Sequence, residues 1–371
     1  MKKWPSKFLF APLCFLFTQH VNAAEFSALA LPNSVSSFAF ASCAKERKPQ
    51  PIWNTIKNTQ PDLFLFIGDN VYADYWKADG VNLKGSPVTD IKRIDEAYSS
   101  LASKEAFSRF RASVPMLAMW DDHDYGANDA GKNYPLKVES QQRFLDFFGF
   151  AKDDPIRKQQ GVYYSKTLGE SGKTVQFIML DTRYHRDDLL ENSDKSKEAR
   201  RYIPNPNPEA SMLGDAQWAW LESELQKPAD IRFIISSIQL VAYEHGYEGW
   251  GMFPLERQRF YDLIADTKAE GVVVLSGDRH LTEVSVDNGE LGASVPYPIW
   301  DLTSSGMTDP IKPVEEKNTF RKGAVYRGSH FATVDIEWAE NKDDTSVVFR
   351  ALTEEGNLIN EQRIRLGNLT F

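Results

Sequence analysis

Three short acidic segments of the sequence have the residue types of a metal site. They are GDNVYAD (68–74), WDDHDYGAN (120–128) and SGDRH (276–280), and each follows an apolar run: LFLFI, MLAM or VVVL. Such a run is typical of a buried strand in an α/β sheet. Because functional groups gather where these strands end, we expect one crevice to be lined by Asp69, Asp122, His123, Asp278 and His280. Clustered carboxylates repel one another unless cations bind between them, so the pattern predicts a metal-dependent hydrolase.

The first segment supplies two candidate metal ligands. Gly68 allows a tight turn at the strand end, where a side chain would crowd an ion. Asp69 is predicted to bridge two cations, and Tyr72 could reach one of them as a phenolate, which suits trivalent iron. The alternative is an N-capping turn with a packed tyrosine. Asp74 is predicted either to support the site or to lie on the surface.

The second segment places four ionisable residues side by side after Trp120. Asp122 is predicted to bind metal directly, with Asn128 as a neutral oxygen donor. His123 is the candidate general acid for the leaving oxygen, with its tautomer fixed by Asp121 or Asp124. The alternative is a charged surface loop.

The third segment adds two ligands and an arginine. Asp278 and His280 are two positions apart, so on an extended segment they point to the same side. Arg279 and Arg183 are predicted to clamp phosphate, because a guanidinium group makes bidentate contacts with phosphoryl oxygens. For Arg183, a structural salt bridge is nearly as well supported.

The N-terminus predicts export. Residues 1–23 combine three lysines, an apolar stretch (8–18) and a small-residue ending at Ala23, which together are typical of a cleaved signal peptide. No segment approaches the roughly 20 apolar residues of a membrane-spanning helix. We therefore expect a periplasmic or secreted protein that consists of one domain, 24–371.

The net charge and the cysteine content limit the kinds of molecule and metal ion that the protein is expected to bind. The chain has 43 basic and 52 acidic residues, and removal of the signal peptide makes the net charge more negative. This argues against nucleic acid as a stable partner and allows a small phosphate ester. Cys43 is the remaining cysteine after cleavage. By itself it reads as a buried structural thiol, but it ends an alternating segment (37–43), and a thiolate is a good ligand for iron or zinc.

The elements that must position these residues alternate along the chain. Helices are predicted at 51–58, 91–110, 135–150, 214–226 and 255–269. Strands are predicted at 37–43, 63–67, 114–119, 175–180, 231–236 and 272–275, followed by antiparallel strands at 331–338, 346–352 and 358–366. Residues 187–211 lack periodicity, which is typical of a lid or binding loop. The pattern predicts an α/β fold, a four-layer αββα sandwich of mixed β-sheets.

The ordered motifs FASC, GDNVYAD, WDDHDYGAN, LDTRYHR and SGDRH resemble the PhoD-like (alkaline phosphatase D) branch of the calcineurin-like metallophosphoesterases over roughly residues 36–310. The Asp-x-His, Gly-Asn-His and Gly-His-x-His elements of the wider superfamily are absent in that form. Cys43, residues 122–124 and residues 277–280 stand in their places.

The resemblance implies the four-layer sandwich and hydrolysis of phosphomonoesters or phosphodiesters. For the mechanism we expect in-line attack by a metal-bound hydroxide on phosphorus. The resemblance implies ferric iron (Fe3+) held by Cys43, Asp69, Tyr72 and His280. It also implies calcium (Ca2+) held by Asp69, Asn128 and Asp278. Two other hypotheses stay open: a secreted calcium-binding or interaction protein without turnover, and a metal-dependent hydrolase of a non-phosphorus ester. The oligomeric state is left open.

Overall fold

The computed structural model describes Met1 and residues 28–78, 81–83, 85–194, 200–308 and 316–371. Apart from Met1, the predicted signal peptide (1–23) lies outside the described residues. In the described part of the chain, no helix has the length and apolar character needed to cross a membrane.

The described residues form sixteen strands and seven α-helices. The strands are β1 Ser37–Ala41, β2 Leu63–Ile67, β3 Trp76–Ala78, β4 Val81–Leu83, β5 Met116–Met119, β6 Tyr164–Leu168, β7 Val175–Met179, β8 Leu190–Glu191, β9 Tyr202–Ile203, β10 Ile231–Ile235, β11 Val272–Ser276, β12 Thr282–Asp287, β13 Ile299–Ser304, β14 His330–Glu337, β15 Ser346–Thr353 and β16 Leu358–Arg365. The helices are α1 Ile52–Asn58, α2 Lys92–Ala102, α3 Glu105–Arg111, α4 Asp122–Tyr125, α5 Lys137–Phe147, α6 Asp215–Leu225 and α7 Pro254–Thr267.

Most strands belong to two six-stranded mixed sheets. The first has the order β16-β15-β14-β1-β2-β5, in which β1, β2 and β5 are parallel and the remaining pairings are antiparallel. The second has the order β12-β13-β11-β10-β7-β6, with four parallel strands at its centre and an antiparallel strand at each edge. Among the parallel strands, β2, β5, β7, β10 and β11 are mainly apolar runs, as expected for strands that are buried on both faces. The parallel strand β13 is also buried, but it carries Asp301 and was not predicted.

The two sheets pack face to face through aromatic side chains. Phe38 of β1 meets Phe177 of β7 and Phe233 of β10, with ring centroids 5.4 and 4.8 Å apart. On the outer face of the first sheet, Phe64 of β2 packs edge-on against Trp53 of α1 at 5.3 Å. Because side chains alternate along a strand, one face of each sheet can join the central core while the other receives helices.

Helices cover the outer face of the second sheet as well. The side chain of Gln176 in β7 donates a hydrogen bond to the backbone oxygen of Glu224 in α6 (3.1 Å), and α6 contacts α7. The predicted four-layer αββα sandwich is therefore confirmed.

Two short antiparallel pairs lie outside the predicted helices and strands. Strands β3 and β4 pair with each other, and β8 pairs with β9 within residues 187–211, which were expected to form a lid or binding loop. These strands are two or three residues long, too short to show hydrophobic periodicity in sequence.

Glycines allow the two sheets to approach where their parallel strands end. Gly68 has φ +113°, and a Cβ atom there would lie 2.7 Å from the Cβ atom of Asp121. A Cβ atom on Gly277 would lie 2.6 Å from Ser42 Oγ and 2.9 Å from the backbone oxygen of Ser237. Real side chains do not tolerate such distances, so both positions require glycine.

Candidate metal centre

Four predicted ligands have a left-handed backbone conformation (positive φ), which is unfavourable for residues other than glycine. The φ angles of Cys43, Asp69, Asp278 and His280 are 62°, 50°, 68° and 55°. A left-handed conformation costs a residue with a side chain on the order of 1–3 kcal/mol, and it persists where the surrounding structure fixes it. Its repetition at the ends of three strands indicates a functional site.

The structure brings together the four residues expected to bind iron. The Cys43 thiol lies 3.4 Å from Asp69 Oδ2, and the Tyr72 hydroxyl donates to the same oxygen at 3.0 Å. The Tyr72 hydroxyl also lies 3.2 Å from His280 Nε2. Potential ligand atoms of Cys43, Asp69 and His280 all lie within 4.8 Å of one another. One ion could therefore contact a thiolate, a carboxylate, a phenolate and an imidazole.

A second group shares Asp69 with the first. Potential ligand atoms of Asp69, Asp122 and His123 also lie within 4.8 Å of one another. The backbone N–H of His123 donates to Asp69 Oδ1 at 3.3 Å, on the opposite carboxylate oxygen from Cys43 and Tyr72. Asp122 Oδ1 is buried and accepts no hydrogen bond from the described residues. Asp69 therefore lies between two potential cation positions.

Electrostatics at the centre favour bound cations. Burial raises the pKa of Cys43 well above its ordinary value, and the charge of Asp69 adds to the effect. Burial likewise raises the pKa of Asp278, reinforced by Asp121 and Glu248 and partly opposed by Arg279. Cations would remove this penalty by favouring the ionised forms. The donor set therefore fits metal ions.

His123 is oriented by Asp74. Its Nδ1 lies 2.8 Å from Asp74 Oδ1, and its ring stacks on Tyr72 with centroids 4.2 Å apart. The backbone N–H of Asn128 donates to Asp74 Oδ2 at 3.1 Å. Burial lowers the pKa of His123, but the carboxylates of Asp122, Asp69 and Asp74 outweigh it and hold that pKa well above the ordinary value. Asp74 thus supports the site.

The prediction that Asp121 or Asp124 fixes the His123 tautomer was wrong. Asp121 and Asp124 instead form a reciprocal capping box at the start of α4, in which Asp124 Oδ1 accepts the backbone N–H of Asp121 at 2.6 Å. The second oxygen of Asp124 accepts the backbone N–H of Asn70 at 3.3 Å. The hydrogen bonds of both carboxylates go to groups other than the His123 ring, whereas Asp74 reaches the imidazole from another strand end.

Arg183 lies in a buried ion-pair network. Its Nε donates to Asp121 Oδ1 at 2.6 Å, and its Nη1 donates to Glu248 Oε1 at 2.8 Å. The side chain is completely buried. This geometry favours the salt-bridge interpretation of Arg183 over the phosphate clamp.

Arg279 remains at the margin of the centre. Its Nη1 lies 3.9 Å from Asp278 Oδ2, its Nη2 donates to Glu316 Oε1 at 2.7 Å, and its guanidinium group lies over the ring of Tyr247 at 4.1 Å. Unlike Arg183, its side chain keeps 11 % of its surface exposed.

Sequence reasoning missed two acidic residues beside Asp122. Potential ligand atoms of Asp122, Asp129 and Glu248 lie within 4.8 Å of one another, and the backbone N–H of Asp129 donates to Asp122 Oδ2 at 2.6 Å. Glu248 pairs with Arg183 and Arg186. Asp129 follows Asn128 directly and could have been included with its motif. Glu248 lies in a loop after β10 that carries no comparable signal.

Two facing mixed sheets, with acids and imidazoles at the ends of their parallel strands, define a metallophosphatase-like fold. The chain belongs to the PhoD-like phosphatase family, whose model matches residues 38–324.

Individual relatives agree with this assignment. The chain is 27 % identical over 281 residues to alkaline phosphatase D of Bacillus subtilis (strain 168), a match that covers 67 % of this chain and 46 % of that protein. The chain thus spans about half the length of that relative.

Two solved structures share the fold. A structure of PhoD superimposes with a TM-score of 0.63 at 17 % identity, over 90 % of this chain and 72 % of that one. A purple acid phosphatase from yellow lupin (Lupinus luteus) seeds superimposes with a TM-score of 0.57 at 14 % identity, over 91 % and 55 % of the two chains. At these identities the likeness concerns the fold alone.

We predict that Arg183→Met lowers the free energy of unfolding by about 3–5 kcal/mol, because it leaves Asp121 buried without its counter-charge and leaves Glu248 with Arg186 alone. Arg350→Met is the matched control: Arg350 also pairs with two acids, Asp335 and Glu361, but on a partly exposed strand. Its loss should be about 1 kcal/mol or less. Urea unfolding measures both. A stable Arg183→Met protein with a raised KM for phosphate esters would instead support the clamp.

Proposed function

We propose that this protein is an exported, metal-dependent phosphoesterase that hydrolyses phosphomonoesters, phosphodiesters or both. Its family supports phosphoester chemistry. The observation that carries the proposal is the position of Asp69: its Oδ2 lies beside Cys43 and Tyr72, and its Oδ1 accepts the backbone N–H of His123, with a potential ligand atom of Asp122 nearby. A carboxylate in that position can bridge two cations, and paired cations are suited to stabilising both the attacking and the leaving oxygen of a displacement at phosphorus.

The proposed ions are ferric iron and calcium. Thiolate and phenolate donors suit iron, while carboxylate and amide oxygens suit calcium. Iron is assigned to Cys43, Asp69, Tyr72 and His280. Calcium is assigned to Asp69, Asn128 and Asp278, with Asp122 as a further oxygen ligand. Bound cations would lower the pKa of a water molecule and neutralise phosphoryl oxygens.

The remaining roles fall to side chains that surround the ligands. His123 is proposed to protonate the leaving oxygen through Nε2, because its Nδ1 faces Asp74. Asp74 is a positioning residue that holds the ring orientation. Arg279, next to Asp278, is proposed to bind a phosphoryl oxygen.

The proposed mature protein is one domain, 24–371, released after cleavage of residues 1–23. Its substrate is a small phosphate ester. The excess of acidic residues disfavours a nucleic acid as a stable partner.

The function is tested with a panel of p-nitrophenyl phosphate, bis-p-nitrophenyl phosphate and p-nitrophenyl acetate, assayed with protein supplied with iron and calcium. We expect turnover of at least one phosphate ester, loss of that turnover after chelation and recovery when the metals are restored. Preferential cleavage of the acetate would support the non-phosphorus hydrolase. Calcium binding without turnover of any substrate by folded, metal-replete protein would support the interaction protein and end the proposal.

We predict that purified protein contains iron and that Cys43→Ser loses it together with activity, because a serine hydroxyl is a poor replacement for a thiolate ligand. The phenolate part of the visible charge-transfer absorption should be lost in Tyr72→Phe, which keeps the Cys43 thiolate. Tyr125→Phe is the matched control, since the buried Tyr125 hydroxyl donates to the backbone oxygen of Gly131 instead. Elemental analysis and absorption spectra measure these changes. Zinc at full occupancy without iron would refute the ion assignment.

We predict that His123→Ala slows substrates with alkyl leaving groups far more than p-nitrophenyl phosphate. An alkoxide needs a proton in the transition state, whereas p-nitrophenolate leaves with little help. The two substrate types should therefore diverge by about 10²–10⁴-fold in kcat. Asp74→Asn should show the same trend to a smaller degree, since it disturbs only the orientation of the ring.

Metal content separates this role from that of a ligand. It should stay unchanged in His123→Ala and fall in Asp69→Ala, which removes the bridging carboxylate. Equal slowing of both substrate types, or metal loss in His123→Ala, would contradict the acid role.

A further inference from the structure

Two arginines converge on one carboxylate beside the candidate metal centre. Arg279 Nη2 donates to Glu316 Oε1 at 2.7 Å, and Arg327 Nη2 lies 3.7 Å from Glu316 Oε2. Glu316 is itself held in place, because Arg321 donates to its backbone oxygen at 3.0 Å. The side chains of Arg327 and Glu316 are each only 9 % exposed. The arrangement is therefore a partly buried, fixed cluster and not a solvated surface ion pair.

If Asp278 binds a cation, the cluster contains two positively charged guanidinium groups and one negatively charged carboxylate. Asp278 is the second acid near Arg279, at 3.9 Å, and the proposed function assigns it to a cation. Glu316 then serves two guanidinium groups. Among the described residues, the buried Nε of Arg279 and Nη1 of Arg327 have no hydrogen-bond acceptor. Buried charged donors without acceptors are unfavourable, so the cluster is suited to one further oxyanion.

Tyr247 borders this cluster on the solvent side. Its ring covers the guanidinium group of Arg279 at 4.1 Å, which restricts the movement of Arg279, and the tyrosine is itself 38 % exposed. The neighbouring His245 accepts the backbone N–H of Tyr247 on Nδ1 and therefore adds no acceptor for the arginines at that atom. An anion could approach along the exposed tyrosine and meet the two arginines.

We propose that Arg327 and the Nε donor of Arg279 form an oxyanion subsite next to the metal centre, which binds a second negatively charged group of the substrate, while Nη1 of Arg279, on the side of Asp278, is left for the reacting phosphoryl group. This inference rests on the proposed phosphoesterase function. The preferred substrates are then phosphate esters whose leaving group carries a carboxylate or another phosphate. Arg327 determines specificity for that group. Glu316 opposes binding of the group, because its negative charge partly neutralises the same two guanidinium groups through their Nη2 atoms.

Three matched probes test the subsite: 3-hydroxypropyl phosphate, 2-carboxyethyl phosphate and propane-1,3-diyl bisphosphate. The first has a neutral leaving group, and the other two place a carboxylate or a phosphate at its end. Wild-type protein should show higher kcat/KM for at least one charged probe, and the comparison of the two identifies the group that fits. Arg327→Gln should reduce that preference by on the order of 10- to 100-fold, the size of one charge-assisted hydrogen bond.

Glu316→Gln gives the opposite expectation and is the control for a structural role. Removal of the competing carboxylate should increase the preference for charged probes, whereas a purely structural Arg327–Glu316 pair predicts equal losses on all probes in both variants. Arg327→Lys, which keeps the charge, should retain part of the preference. Thermal unfolding of each variant verifies that it is folded. No preference in wild-type protein, or the same loss on every probe, would overturn the subsite.

Failure of the proposed function has a different signature. Wild-type protein would then hydrolyse neither these monoester probes nor bis-p-nitrophenyl phosphate, and calorimetric binding of 2-carboxyethyl phosphate to metal-loaded protein replaces kinetics. Weaker binding of this probe, but not of 3-hydroxypropyl phosphate, in Arg327→Gln would support the subsite independently of turnover. Equal binding of the two probes by wild-type protein would overturn it.

Discussion

Repulsion between buried carboxylates is the constraint on which this structure depends. The ends of parallel strands from two sheets deliver Asp69, Asp121, Asp122 and Asp278 to one place, where water cannot screen their charges. The protein neutralises them in two ways. Asp121 receives Arg183 as a permanent partner. Asp69 and Asp122 lie among potential metal ligands, and Asp278 lies beside Arg279, so the same repulsion that opposes folding of the apo centre would favour cation binding.

The backbone is locally strained at the strand ends where these carboxylates come together. Glycines 68 and 277 leave no room for side chains between the sheets, and four of the proposed ligands have left-handed backbone. Such positions are stable only because the surrounding sheets are rigid, with aromatic rings such as Phe38 and Phe233 packed between them. The rigid layers therefore hold ligands in fixed positions before any ion arrives.

Residues of the same type have different roles around the candidate metal centre. Arg183 is fully buried between two acids, whereas Arg279 lies at the margin under Tyr247 and contacts Glu316. Asp74 and Asp121 both flank the site, but Asp74 orients His123 while Asp121 caps α4 and pairs with Arg183. Burial and partners, which residue type does not reveal, separate the roles of orientation, charge compensation and proposed substrate binding.

The sequence by itself determined the apolar strands, the layered α/β architecture and the strand-end clusters, because hydrophobic periodicity and glycine positions are local properties of the chain. It did not reveal the short strands, such as β8 and β9, whose few residues carry no periodic signal. It also did not predict the contacts Asp74–His123 and Arg183–Glu248, which join residues 49 and 65 positions apart. Those pairings depend on the order of strands in the sheets and on the distance between the sheets. Only the tertiary structure decides them, since the same carboxylates could reach several partners until packing fixes their positions.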